Sequence, residues 1–243
     1  MQDFDLHVHS VFSDGKSAPE EIVVSAIEKG LKKIGFSDHS YTPCDTSYCM
    51  KRRRYKEYIA EISALKEKYA DKIEVLCGIE QDYYSNAPTD CFDYVIGSVH
   101  YININGHYYA VDGSPKKLAE AADRHFGGDI YKVAGLYYDT VSDVVAVTHA
   151  DIIGHFDLIS KYNEKTPFFD PSEPRYVAAW KKAADKLLES NIPFEINYGA
   201  ISRGVRTTPY PAQDIKEYII ANSGKFVLSS DSHHKDTIAF GFE

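Results

Sequence analysis

Basic residues are in short supply: 27 Lys and Arg stand against 36 Asp and Glu, for a formal net charge of −9. Phosphate backbones demand clustered cations, so a nucleic-acid scaffold is disfavoured. An anionic small molecule is not, because a bound metal supplies local positive charge that the formal sum omits. Cysteine is scarce too. Cys44, Cys49, Cys77 and Cys91 form no CxxC pair, which excludes a zinc ribbon and a disulfide framework and points to reduced thiols in a cytoplasmic chain. No apolar run approaches the length that crosses a bilayer, and residues 1–20 lack the basic start and apolar stretch of a secretory signal. No Gly-, Pro- or Ser-rich linker, repeat or low-complexity tract divides the chain, so residues 1–243 read as one domain.

What is present is an alternation of extended and helical patterns. Ser17-Ala18-Pro19-Glu20 has the form of a capping box, with the Ser17 hydroxyl capping the helix and Glu20 reaching back. Ile22, Val23, Ala26 and Ile27 follow at helical spacing, and Gly30 stops the helix. LKKIGFSDH predicts a short strand. RRYKEYIAEISALKEKYADK predicts a helix with Tyr55, Ile59, Ile62, Leu65 and Tyr69 on one stripe, its KRRRYK end being a solvated face. IEVLCGIE and FDYVIGSVH predict two buried strands, residues 115–142 helix, and DVVAVTHADIIGHFD extended structure. PRYVAAWKKAADKLLES then predicts a helix, IPFEIN a strand, AQDIKEYIIANSG a helix and KFVLSSDSH a last strand. GAISRGVRTTPYP, residues 199–211, has no periodicity and reads as a surface loop. Strand then helix, repeated about seven times, predicts a parallel α/β architecture.

The polar residues are placed with a pattern. FDLHVH ends in His7 and His9, IGFSDH in His39, VLCGIE in Glu80, VIGSVH in His100, DIIGH in His155, and FVLSSDSH in Asp231 and His233. In a parallel barrel the carboxyl ends of all strands meet at one face. A single strand-end histidine is ordinarily just a hydrogen-bonded terminus. Repeated at strand after strand, such imidazoles would each carry a desolvation cost of about a few kcal/mol unless a shared metal cluster satisfies them. The other histidines fall outside the pattern. His107 reads as a loop residue and His125 as a helix end, His155 is preferred to His149, and His234 points away from His233. Imidazole and carboxylate without thiolate suit Zn, Mn or Fe. Their number exceeds one tetrahedral centre, so two or three divalent ions are expected.

HxH with Asp14, then SDHS, GIEQDY, DYVIGSVHYI, IIGHFDLISKY, FEIN and SSDSH, resembles the polymerase-and-histidinol-phosphatase (PHP) family of metal-dependent phosphoesterases over nearly the whole chain. DYVIGSVH, GHFDLISKY and EIN are most similar to its histidinol-phosphate phosphatase branch. The resemblance implies a distorted (β/α)7 barrel, TIM-like, with a trinuclear site at the carboxyl ends of the strands. Carried over residue by residue, His7, His9, Glu80 and Asp231 would hold one metal. Glu80 would bridge to a second, completed by His100 and His155, and Asp14, His39 and His233 would hold the third. Relatives often have histidine at the position of Asp14, but aspartate ligates equally. They also continue into a final helix after SDSHH, so a compact or truncated end is expected at Glu243.

Three divalent ions bring about +6, the three carboxylates return about −3, and a bridging hydroxide leaves about +2, suited to a dianionic phosphate monoester. In-line attack by that metal-activated hydroxide is expected, with Asp231, His233 and Glu80 as the catalytic candidates. No Ser or Cys nucleophile motif argues for a covalent phospho-enzyme. For the phosphate we favour Arg203 and Arg206 in the long loop after FEIN, Lys161, and Asn197 at the strand end. The leading expectation is hydrolysis of histidinol phosphate. The alternatives are a nucleotide or another small phosphate ester, a polymerase-associated exonuclease, and a non-enzymatic metal-binding module. The acidic balance and lack of a polymerase segment disfavour the exonuclease, and the complete set of nine ligands disfavours the module.

Overall fold

A computed structural model describes residues 2–242. Its elements run β1 (Phe4–Asp5), α1 (Pro19–Glu28), β2 (Lys33–Phe36), α2 (Tyr55–Lys68), β3 (Glu74–Cys77), β4 (Ile79–Asp82) and β5 (Val95–Ser98). An insertion follows, with β6 (Tyr101–Ile104), β7 (His107–Ala110), α3 (Pro115–Phe126), α4 (Ile130–Val141) and α5 (Val144–Thr148). The chain ends with β8 (Ile152–Ile153), α6 (Pro174–Leu188), β9 (Phe194–Asn197), α7 (Gly199–Ser202), α8 (Gln213–Ala221) and β10 (Phe226–Ser229).

Two parallel sheets, β1-β2-β3 and β10-β9-β8-β5-β4, share the barrel. Isolated parallel bridges join them at both seams, His39 with Glu80 and Val8 with Ser232. With β3 and β4 as one interrupted stave, the circuit has the expected (β/α)7 order. The interruption itself differs from the single strand expected over IEVLCGIE. At Gly78 a Cβ would lie 2.3 Å from the Tyr94 ring. Tyr94 packs directly against Gly78 where the stave is interrupted, and β3 pairs with β2 while β4 pairs with β5.

Three other segments depart from the sequence reading. The apolar, β-branched run after Asp143 forms α5 instead of extended chain, with the Thr148 hydroxyl donating to the Val144 carbonyl at 2.6 Å. Residues 101–110 form a hairpin turned at Asn105-Gly106, whose φ angles of 52° and 85° suit a type I′ turn, so His107 is on a strand. The cap of α1 sits one residue on: Ala18 is the N-cap, and Glu21, not Glu20, accepts its N–H at 3.0 Å. The Ser17 hydroxyl instead accepts from Lys235 N–H at 3.0 Å.

The helices pack on the barrel through two clusters. Ile22, Val23 and Ala26 of α1 and Tyr58 and Ile62 of α2 cover β2 and β3, and Tyr137, Tyr138, Tyr176 and Trp180 join α4 to α6. Each such fully buried aliphatic side chain contributes about 1.5–3 kcal/mol relative to exposure. Among the described residues no helix is long and apolar enough to cross a membrane.

Candidate metal centre

His7 and His9, two apart beyond β1, point to one side of the chain, as strand alternation requires, and both are 0% exposed. His39 follows β2, Glu80 lies in β4, His100 follows β5, His155 follows β8, and Asp231 and His233 follow β10. Asp14 arrives from the turn before α1. All nine sequence-predicted ligands therefore converge.

The distances bring the nine residues into overlapping groups, in which His39 serves two, its Nδ1 lying 2.7 Å from Glu80 Oε2. Glu80 Oε2 is 3.5 Å from His7 Nε2 and 3.6 Å from His9 Nε2, while Asp231 Oδ1 is 3.9 and 3.4 Å from the same two atoms. Glu80 Oε1 faces His155 Nε2 at 3.0 Å and His100 Nε2 at 3.5 Å. Asp14 Oδ1 faces His39 Nε2 at 3.6 Å and His233 Nε2 at 3.4 Å. His9 stands between clusters, its ring 4.3 Å from that of His39 and 4.2 Å from that of His233.

The chemistry of these atoms suits cations. His7 Nε2, both ring nitrogens of His9 and His155 Nδ1 are buried without a hydrogen-bond partner, and Glu80 Oε2 is met at close range only by His39 Nδ1, at 2.7 Å. Orphaned polar atoms each carry about 1–3 kcal/mol of penalty. Divalent ions shared among these donors relieve most of it at once, so the residues fit the group.

The protonation states follow from the crowding. Burial would raise the Glu80 carboxyl, but His39, His100 and His7 hold it well below its ordinary value. Burial works against charge on His7 too, yet Glu195 and Glu80 raise its pKa well above normal. His39 is likewise raised, against burial, by Glu80 and Asp14. Glu80 and Asp82 overcome burial at His100 and bring it to about 9. Burial and the neighbouring His233 and His39 push His9 down to about 3, which leaves a neutral imidazole ready to ligate.

The sequence does not mark the carboxylates that support these ligands. Glu195 of β9 accepts from His7 Nδ1 at 2.8 Å and Asp82 Oδ2 lies 3.2 Å from His100 Nδ1. Partners of this kind fix the tautomer of a ligating imidazole. The one available signal was an acid two residues from a motif residue, in EQD and EIN. The backbone also bends to the site. Asp231 adopts φ 48°, and Gly199 keeps the space beside it clear, since a Cβ there would lie 2.5 Å from Asp231 Oδ2.

A cleft of about 400 Å³ opens onto the cluster, lined also by Arg203, Lys161, Lys117, Asp112, Asp45 and Tyr101. Two of the residues favoured for substrate are elsewhere. Asn197 is 0% exposed and is outside the cleft wall; its amide donates to Glu195 Oε1 at 2.9 Å and Asp231 Oδ2 at 3.3 Å. Arg206 is also buried and lines a different cavity, donating to the Ser160 hydroxyl at 2.6 Å with its guanidinium 4.4 Å from the Tyr210 ring centroid. The 199–211 segment is folded back, not a free loop: Asn197 and Tyr210 exchange backbone bonds of 2.8 and 3.0 Å. Arg203 does line the cleft, with Nη2 3.1 Å from Asp231 Oδ2. Lys161 lines it as well, its ammonium 2.9 Å from Asp112 Oδ2. Lys117, in the helical 115–142 stretch with no motif to mark it, is on the same wall. His149 and His107 are exposed and are not among the cleft-lining residues.

Fold and site together define a parallel α/β barrel with a histidine- and carboxylate-rich centre at the carboxyl ends of its strands. The chain belongs to the PHP domain family, whose model matches residues 5–199. It is 30% identical to the "Probable histidinol-phosphatase" of Deinococcus radiodurans over 98% of this chain and 89% of that protein. It is 31% identical to the "Histidinol-phosphatase" of Lactococcus lactis over 71% of this chain and 62% of that one. Among solved structures, hisK from Listeria monocytogenes superposes with a TM-score of 0.84 at 19% identity, covering 98% of both chains. The histidinol phosphate phosphatase of Lactococcus lactis, complexed with Zn, L-histidinol and phosphate, superposes with a TM-score of 0.69 at 23% identity over 96% of this chain and 87% of that one.

Proposed function

We propose that this protein is a metal-dependent phosphomonoesterase that hydrolyses L-histidinol phosphate to L-histidinol and phosphate. The observation that carries the chemistry is the set of buried, partnerless imidazole nitrogens gathered around Glu80, which itself lines the cleft. The substrate rests on the relatives' names and on the zinc, L-histidinol and phosphate held by the Lactococcus lactis structure.

In this reading His7, His9, Glu80 and Asp231 hold one divalent cation. Glu80, His100 and His155 hold a second, and Asp14, His39 and His233 a third, with Zn, Mn or Fe suited to the donors. Such cations supply Lewis acidity toward phosphoryl oxygens and a nucleophile from water at neutral pH. The chain does the rest. Arg203 has five N–H donors and gives only some of them to Asp231 and His233, so it can grip a phosphate oxygen at the cleft edge. Lys161 adds a cation whose charge Asp112 partly offsets. Burial would raise Asp231, but Arg203 and His7 hold it well below its ordinary value. It therefore stays a carboxylate, a weak base suited to holding a cation rather than to moving a proton. His233 is the most open imidazole of the set, with a side chain 21% exposed, and as a cation ligand it would leave protonation of the departing alkoxide to solvent at the cleft mouth.

The test is hydrolysis of histidinol phosphate by protein of measured metal content, against nucleoside monophosphates and p-nitrophenyl phosphate. Preference for histidinol phosphate is expected, and His7→Ala should lower both bound metal and turnover. Equal rates on all esters would overturn the substrate, and no phosphatase activity with metal bound would overturn the reading.

A further inference from the structure

Asp14 is set apart from the other converging groups because it lies on a turn, beyond His9, that no strand ladder holds. The placement of its carboxylate is decided from outside the turn. Asp38 is 0% exposed, and its Oδ1 accepts the Ser10 N–H at 3.0 Å, the Ser13 N–H at 2.9 Å and the Ser13 hydroxyl at 2.6 Å. Its Oδ2 accepts the Ser10 hydroxyl at 2.9 Å. Four donors from the turn thus end on one carboxylate, and the residue after it is His39, whose Nε2 faces Asp14 Oδ1 at 3.6 Å. The end of β2 presents one ligand itself and clamps the loop that presents the other. Beyond Asp14, Lys16 N–H donates to the His233 carbonyl at 2.8 Å, which ties the same turn to the third member of the group. Gly15 lies so close beneath that a Cβ would be 2.3 Å from the His9 carbonyl oxygen.

We propose that Asp38 is a positioning residue for the cation position formed by Asp14, His39 and His233, acting through Ser10 and Ser13. It is not among the cleft-lining residues or the candidate ligands, and the proposal rests on the reading of Asp14 as a ligand. Because the clamp acts on one ligand loop, its loss empties one position and leaves the two that share Glu80 filled. An asparagine keeps the clamp. Its single oxygen serves the three donors now on Oδ1, and the Ser10 hydroxyl can turn to accept from the amide.

The experiment is zinc content per chain, measured after loading and desalting, for wild type, Asp14→Ala, Asp38→Ala and Asp38→Asn, with circular dichroism melts of each. Asp38→Ala should lose one equivalent, as Asp14→Ala does, and Asp38→Asn should retain it. Full metal content in a folded Asp38→Ala protein, with only the melting temperature lowered, overturns the proposal. If Asp38→Ala does not fold, Ser13→Ala decides, since it removes a single clamp bond. About tenfold weaker binding of one equivalent is expected there, the loss typical for an outer partner of a ligand, and unchanged binding overturns the proposal. Equal metal in wild type and Asp14→Ala would instead overturn the reading of Asp14, and this inference with it.

Discussion

Replacing Glu195 by Gln changes one buried oxygen into an NH2 group and removes one charge. Three donors meet that carboxylate: His7 Nδ1 at 2.8 Å on Oε2, and His155 N–H at 2.5 Å and Asn197 Nδ2 at 2.9 Å on Oε1. An amide has one acceptor oxygen, so either orientation turns its NH2 toward a donor. If His7 responds by switching tautomer, its proton moves to Nε2, the atom that faces Glu80 and Asp231. A hydrogen bond to a charged group contributes about 1.5–3 kcal/mol. Loss of an outer partner of this kind weakens metal binding by about 10–100-fold, or about 1.4–2.7 kcal/mol. One effect opposes it: without Glu195, His7 sheds its proton more easily, which assists metal uptake most at neutral pH. Competition against a chromophoric zinc chelator at neutral and mildly alkaline pH separates the two, and the deficit of Glu195→Gln should be larger at the alkaline pH. Zinc affinity within about twofold of wild type at both pH values, in a protein with an unchanged melting curve, would refute the argument that Glu195 orients His7.

Further outcomes follow from the same geometry. His7, His39 and His100 have pKa values raised above the ordinary imidazole value, so metal-free protein carries protons on them near neutrality. Zinc must displace these protons, so affinity should rise with pH toward about 9, the value for His100. Calorimetry in buffers of different ionisation enthalpy should register proton release at neutral pH, and buffer-independent heats would contradict the assignment. Arg203→Ala should raise KM for the phosphate ester by about 10-fold, the loss of a charge-assisted bond. Arg206→Ala should leave KM near wild type but lower the melting temperature, since its guanidinium packs on Tyr210 away from the cleft; the reverse pattern would put the wrong arginine at the substrate. Gly78→Ala should destabilise by about 1–3 kcal/mol in denaturant titration, because the new methyl overlaps the Tyr94 ring, and a neutral change would show that the stave break does not depend on that contact.

The sequence by itself determined the order of the seven staves and of the helices between them, apart from the 101–110 hairpin and α5, and the convergence of His7, His9, Asp14, His39, Glu80, His100, His155, Asp231 and His233. Both are legible for one physical reason: apolar periodicity marks the elements, and a parallel barrel gathers the carboxyl ends of its strands at one face whatever the details of packing. Tertiary structure decided what depends on contacts between distant segments. A stave is interrupted at Gly78, where Tyr94 packs against it, and the valines of α5 look like strand until Thr148 and Val144 pack as helix. Arg203 and Arg206 are three residues apart in an aperiodic stretch, and the folding of Tyr210 back onto Asn197 sends one to the cleft and buries the other. The same holds for the partners behind the ligands. A lone acid such as Glu195, Asp82 or Asp38 has no periodic signature, and its role exists only once the imidazole or loop it serves has been folded onto it.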